Sequence, residues 1–437
     1  MLIRTTILFL FSFLVFSEIN AQQPQVLSYD GAWCWFSDPR AIYTSASKTM
    51  IVTGWIDKTG NVYAASLEPG SGKIVNKKLY HELEIDDHDN PAFLELADGN
   101  ILSQYTWHNG TVNGMGVIQN ITEHPYDVKC FGAPLIFKPY TEALVSKYKK
   151  QTYSYANPFR LESEQNKLYS FGRWIGFKPN LITSTDNGKT WSEPRVVITS
   201  RGLDVNNRPY VKYHSDGKSK IHLLFTNGHP NNEPLNSVYY CYYENNAFWR
   251  ADGMQICTVD QLPFHPEDAS IVYKATPATG KAWIFDIATD KKGRPVVAYT
   301  RYPSNREHLY YYAAYNNGKW EDHLLINSGT WFPEDEEGKK QREENYSGGM
   351  TLDPADPSTL YFSHQVNGIF ELSKAITRNF GKSWKITPIT RNSKLNNVRP
   401  VVPRYKKKSD PTVLLWMQFR KYRHYTDYDA DIVYRVW

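Results

Sequence analysis

From residue 28 to the C-terminus the chain alternates short apolar-rich runs with polar turns, and within the runs the alternation has a period of two. Ile221-His222-Leu223-Leu224-Phe225-Thr226 and Thr359-Leu360-Tyr361-Phe362-Ser363 are representative. Runs of this length, rich in β-branched and aromatic residues and bounded by Asp, Asn or Gly, predict strands joined by tight turns. Only residues 139–148 carry a helical period. The chain is therefore expected to be all-β.

One corner recurs. Ser184-Thr185-Asp186-Asn187-Gly188-Lys189-Thr190-Trp191 is an Asp-box, in which the Asp caps a tight turn, the Gly takes a positive φ and the Trp packs between sheets. Thr377-Arg378-Asn379-Phe380-Gly381-Lys382-Ser383-Trp384 repeats it with Asn for Asp, and Asn316-Asn317-Gly318-Lys319-Trp320 and Asn245-Asn246-Ala247-Phe248-Trp249 read as degenerate copies. Units of roughly 50 to 60 residues over about 410 predict a seven-bladed β-propeller, with six and eight as the neighbouring counts. No linker long enough to separate domains interrupts the pattern, and the polar stretch 333–345 reads as a surface loop. Residues 22–437 are thus expected to form one propeller domain.

Composition adds to this picture. Aromatics make up 15% of the chain, with 31 Tyr and 13 Trp, and the mean hydropathy is −0.55, as expected of half-buried strands and an aromatic-lined surface. The net charge of +5 is mild and scattered, which argues against nucleic acid as a partner and leaves an acidic polysaccharide to be drawn by local Arg and Lys. Residues 1–21 read as an export signal: Arg4, an apolar run of about ten over residues 7–16, and Ile19-Asn20-Ala21 as a small-residue end. That run falls short of the roughly twenty residues a membrane span needs, and no cysteine follows it to take a lipid. A secreted or periplasmic protein, a monomer cleaved near Ala21, is the expectation.

Two segments carry candidate chemistry. Asp86-Asp87-His88-Asp89-Asn90-Pro91 and Tyr105-Thr106-Trp107-His108-Asn109-Gly110 place one histidine in each of two successive strand–turn units. One strand out, a turn and one strand back take about twenty residues, so both imidazoles reach the same end of one sheet. Tyr153 in Gln151-Thr152-Tyr153-Ser154-Tyr155-Ala156-Asn157-Pro158 and Arg173 in Tyr169-Ser170-Phe171-Gly172-Arg173-Trp174 complete a set able to move a proton beside a carboxylate. The alternative for each is an ordinary structural residue. Asp86, Asp87 and Asp89 flank His88 and are expected to orient its ring or cap the turn. Arg208, Tyr210 and Lys212 alternate along a predicted strand, which turns them to one face, towards a sugar or towards solvent.

A second constellation is His229, Cys241, Cys257 and His265. Two thiolates and two imidazoles are what a closed tetrahedral zinc site requires, although the spacing is not that of a zinc finger. The alternative is a Cys241–Cys257 disulfide, as the exported context allows. Cys34, between Trp33 and Trp35, reads as a small buried apolar residue, and Cys130 is not paired with it.

Taken together, the Asp-box, the strand pattern and the paired histidines resemble the BNR-repeat propellers and, more narrowly, the seven-bladed ulvan lyases that cleave a sulfated algal polysaccharide. The similarity runs through Gly31-Ala32-Trp33-Cys34-Trp35-Phe36-Ser37-Asp38-Pro39-Arg40, the two histidine segments, Arg208-Pro209-Tyr210-Val211-Lys212-Tyr213, Phe225-Thr226-Asn227-Gly228-His229-Pro230 and Ser347-Gly348-Gly349-Met350. The resemblance implies a polysaccharide lyase, a carbon–oxygen lyase that depolymerises ulvan by β-elimination at its uronate. It implies Tyr153 and His88 as base and acid, with His108 and Arg173 on the carboxylate and Arg208 and Tyr210 near the sugar. It also implies a structural zinc in the region of the Cys–His set, with no cofactor in the chemistry. The competing expectations are a glycoside hydrolase of the Asp-box type, for which no trio of arginines assembles from Arg40, Arg173, Arg208, Arg301 and Arg399, and a non-catalytic carbohydrate-binding propeller.

Overall fold

The computed structural model describes residues 23–108, 116–149, 151–202, 204, 206–304, 307–329 and 348–437. The expected signal segment and the loop expected at 333–345 lie outside them. The described strands form seven antiparallel sheets arranged as the blades of a ring. Blade 1 runs from Ala41–Tyr43 to Lys73–Tyr80, blade 2 from Ala92–Glu95 to Leu135–Phe137, and blade 3 from Gln151–Leu161 to Arg195–Val196. Blade 5 runs from Lys281–Thr289 to Lys319–Asn327, and blade 6 from Met350–Leu352 to Lys385–Pro388. Each is a four-stranded meander in chain order.

Blade 4 departs from the pattern. Beyond Val211–Ser215, Ile221–Thr226 and Val238–Glu244 it adds Ala247–Trp249 and Gln255–Thr258, and Ser270–Tyr273 pairs back onto the third strand. Blade 7 closes the ring. Its strands Asn396–Val401, Val413–His424 and Asp427–Val436 are completed by Gln25–Ser28, with Gln25 opposite Tyr434 and Val26 opposite Val433. Pairing the start of the chain with its last strand in one sheet ties the last blade to the first and closes the ring.

The Asp-box forms as its residues dictate. Asp186 accepts from the Thr190 N–H at 2.9 Å and the Thr190 hydroxyl at 2.6 Å, Gly188 sits at φ +81°, and the Trp191 indole donates to Gln119 of blade 2 at 3.1 Å. The Asn379 copy makes the same turn: its Oδ1 accepts from the Ser383 N–H at 2.9 Å, and Gly381 sits at φ +91°. The two degenerate copies are different objects. Asn317-Gly318 and Asn245-Asn246 take positive φ at both positions between paired strands, so they are two-residue hairpin turns. The helical period at 139–148 resolves into one short helix, Glu142–Tyr148, capped by the Thr141 hydroxyl.

Apolar layers fill the space between blades; Phe171 of blade 3 stacks on Tyr213 of blade 4, for example, with ring centroids 4.7 Å apart. The first strands of neighbouring blades meet around the centre, where buried charges are paired. Lys212 bonds the Asp38 carboxylate and the Trp35 carbonyl, Arg404 bonds Asp286, and Asp286 also accepts from Thr351 at 2.9 Å. Lys212 therefore faces the interior. Only 1% of its side chain is exposed, which corrects the expectation that it shares an outward face with Arg208 and Tyr210.

Candidate functional site

In each blade the second strand returns to the end from which the first departed. The turn entering a first strand and the turn leaving a second therefore share one mouth of the ring. His88 lies in the turn Asp87–Asp89 that enters blade 2, and His108 follows the second strand of the same blade. The expected convergence is present: the two imidazoles stack face to face, centroids 4.0 Å apart and 8° from parallel.

Asp86 sets that stack. Its Oδ1 lies 2.6 Å from His88 Nδ1 and its Oδ2 2.8 Å from His108 Nδ1, so one carboxylate orients both rings through the same edge. It also accepts from the His88 backbone N–H at 2.9 Å. The aspartate flanking the histidine is thus both the expected turn cap and the expected orienter, and for both rings at once.

The charges follow from this geometry. Burial would raise the Asp86 carboxyl, but the His108 and His88 rings and their hydrogen bonds hold it well below the usual range. Burial opposes charge on His88 too, yet the surrounding Cys34, Tyr155 and Asp86 groups hold it well above an ordinary histidine. His108 goes the other way, to about 4, because burial and the neighbouring His88 charge outweigh the pull of Asp86. Two imidazoles on one carboxylate cannot both be charged at 4 Å, so near neutral pH the pair holds one imidazolium and one neutral ring. Asp89, also buried, is raised well above a normal carboxyl by burial and by the Asp86 and Glu84 carboxylates.

Arg173 arrives as expected. Its guanidinium lies 4.5 Å from the Tyr210 ring centroid and 5.0 Å from that of Tyr155, both phenols favouring its charge against the cost of burial. Tyr210 also converges, its ring edge-on to His229 at 5.6 Å, and Arg208 stands 4.0 Å over the Phe177 ring in the same region. Tyr153 does not converge: its ring packs with Val117, Trp174 and Ile182 in an apolar cluster. The phenol beside the imidazoles is Tyr155, with centroids 5.8 Å from His88 and 6.5 Å from His108.

The exchange has a backbone cause. Two positions apart on a regular strand, Tyr153 and Tyr155 would face the same way, but the strand register slips on both sides of Ser154 and Tyr155 sits at φ +66°. The bulge is held by the Trp174 indole, which donates to the Tyr155 carbonyl at 3.1 Å, and by the Asn157 amide, whose oxygen accepts from the Asp38 N–H at 2.8 Å. Gly172 makes room, since a Cβ there would stand 2.1 Å from the Trp174 ring. Burial raises the Tyr155 hydroxyl well above a normal phenol, so at neutral pH it is a proton donor.

The expected zinc ligands do not assemble. His229 packs edge-on against Trp283 with centroids 4.4 Å apart, at the mouth beside Tyr210, and burial with the nearby Arg173 and Arg208 charges lowers it to about 3. His265 places its Nδ1 2.8 Å from the Thr199 carbonyl. Cys241 and Cys257 share the apolar layer of blade 4 as free thiols, so neither the metal set nor the disulfide forms. Among the described residues, the groups close enough to share an ion are Cys34 with Asp87 and His88, and Asp86 with the two imidazoles. Cys34 is buried and free, as expected, but at the floor of this site.

Several residues here carried no sequence signal. Tyr425, in the hairpin of blade 7, stands edge-on to both imidazoles. Arg399, at φ +51° on the first strand of that blade, bonds the Asp87 carboxylate and the Trp33 carbonyl, both at 2.5 Å, and Tyr422 also bonds Asp87. They lie more than three hundred positions from His88, and only ring closure brings them close.

The BNR repeat-containing family model matches residues 52–327. Among solved structures, an ulvan lyase of polysaccharide lyase family PL25, bound to a repeat of glucuronate and 3-sulfated rhamnose, aligns with a TM-score of 0.65 at 13% identity, covering 94% of this chain and 93% of that one. A second PL25 ulvan lyase structure aligns with a TM-score of 0.65 at 14% identity, covering 93% and 95%. Polysaccharide lyase Uly1 aligns at 0.57 with 12% identity, covering 94% and 97%. At these identities the likeness is one of fold. No curated protein matches the chain.

Proposed function

The chain belongs to the BNR repeat-containing family, and we propose that within it this protein is a secreted polysaccharide lyase that cleaves ulvan, or a similar uronate-rich sulfated glycan, by β-elimination. The observation that carries this reading is the stacked His88–His108 pair on Asp86, with a phenol and a guanidinium beside it. Removing the C5 proton of a uronate is feasible only when the adjacent carboxylate is neutralised, so that the enolate-like intermediate can form. The Arg173 guanidinium and the His88 imidazolium supply two positive groups for that purpose.

The neutral His108 ring is then the base. Its Nδ1–H stays on Asp86, leaving Nε2 to accept the C5 proton. The C4–O bond breaks as C4=C5 forms, and the Tyr155 hydroxyl gives its proton to the departing glycosidic oxygen. In this reading Tyr155 takes the part expected of Tyr153, and the two histidines exchange the roles the resemblance implied. Arg208 and Tyr210 line the approach.

The expected result of incubating the protein with ulvan is a rise in ultraviolet absorbance from unsaturated uronate ends. Saturated reducing ends alone would rule out elimination and favour hydrolysis. His108→Ala is expected to lower kcat by at least about 100-fold, the usual contribution of a general base.

A further inference from the structure

We propose that Tyr425 is a positioning residue of this site, and that the blade 7 hairpin bearing it is the wall against which the imidazole pair is held. The inference rests on the reading of the site as a lyase. Its ground is geometric. The Tyr425 ring stands 87° to His88 at 4.8 Å and 82° to His108 at 5.2 Å, so a single ring meets both members of the stack edge-on. Asp86 fixes the Nδ1 edges of the pair, and Tyr155 lies obliquely to it at 36° and 29°. Tyr425 supplies a perpendicular stop that neither of those provides.

The hairpin is also tied to the turn that carries His88. The Asp87 N–H donates to the Tyr425 carbonyl at 2.9 Å, while Tyr422 on the same hairpin and Arg399 on the neighbouring strand grip the Asp87 side chain. Blade 7 thus holds both ends of this contact, the backbone beneath His88 and the ring beside it. Tyr425 is only partly buried, and Arg423 two positions earlier is exposed, so the same hairpin offers an accessible ring and a positive charge.

Removing the ring would open the imidazole edges to water. His108 is faced by His88, Asp86, Glu84, Arg173 and Tyr155, and burial is the first cause of its low pKa. With Tyr425 gone that burial weakens, and a base that must be neutral is protonated at a higher pH.

The test compares Tyr425→Ala and Tyr425→Phe, assayed on ulvan by ultraviolet absorbance across pH. Tyr425→Ala is expected to lower kcat by about tenfold or more, as misplacement of a catalytic group does, and to move the acid limb of the kcat profile to higher pH. Tyr425→Phe, which keeps the ring, is expected to recover most of that loss and to restore the limb. Should the Ala variant fail to fold, Tyr425→Leu takes its place, since it keeps apolar bulk and loses the ring plane. An unmoved acid limb with unchanged kcat overturns the proposal, and so does an equal loss in Phe and Ala, which would assign the effect to the hydroxyl. If the unaltered protein forms no unsaturated product, the lyase reading itself has failed.

Discussion

A shift of two positions separates the phenol that the resemblance picked from the phenol that the fold presents. Tyr153 and Tyr155 have the same side chain, stand in the same segment and share a face in any regular strand, so nothing in the alternation tells them apart. The bulge decides, and it depends on Trp174, Asn157 and Gly172 acting across the sheet. Tyr155→Phe is expected to lower kcat by at least about 100-fold, the share of a general acid, whereas Tyr153→Phe should stay within about twofold of the parent. Steady-state kinetics on the two variants check this, and the opposite ranking would return the role to Tyr153. The histidines were legible because their signal was local. One strand, a turn and a return strand fix where their side chains emerge, and Asp86 lies two residues from one of them. Arg399 and Tyr425 were not legible, because their nearness to His88 arises only when the last blade closes on the first.

Elements defined by short-range chemistry read well. The Asp-box at Asp186 and its Asn379 copy form the same turn, because either side chain offers an oxygen to the N–H four residues on. The copies at Asn245 and Asn317 misled because Asn, Gly and Trp also serve a two-residue hairpin, in which no side chain has to cap anything. The Cys–His set misled for a related reason. Ligand types in a plausible order say nothing about which side of a strand each occupies, and here His229 turns to the mouth while Cys241 turns into the layer between blades. Asp186→Ala removes the acceptor for both the Thr190 N–H and its hydroxyl at an exposed corner, and is expected to destabilise the protein by about 1–2 kcal/mol. Urea unfolding measures this, and a change within about 0.5 kcal/mol, typical of a featureless surface site, would show that the corner folds without its cap.

For the molecule as a whole, the buried histidines dictate how stability changes with acid. Burial lowers His108 and His222 to about 4 and His229 and His308 to about 3, and His214 is also lowered. An unfolded histidine titrates near about 6.5. As pH falls through that value the unfolded chain takes up protons that the folded protein refuses, so stability is lost from about pH 6.5 down to each folded value. His88 does not offset the loss. Its folded pKa is raised, so its stabilising contribution is already complete below about 6.5 and is lost only as pH rises through the folded value. Asp38 and Asp86 have lowered pKa values, so their contributions are present above about 3.9 and disappear only below it. Between about pH 4 and 6.5 the fall therefore comes from the histidines, and Asp89, whose folded pKa is raised, offsets part of it, because the folded protein takes up that proton before the unfolded chain does. His308 is the cleanest probe: it is 1% exposed, neither ring nitrogen has a hydrogen-bond partner among the described residues, and burial accounts for its shift. The urea midpoint is expected to fall steadily from pH 6.5 to pH 4, and His308→Leu is expected to flatten that fall while sparing the pair on Asp86. An identical slope in the variant would mean that acid opens the ring elsewhere, before protons reach blade 5.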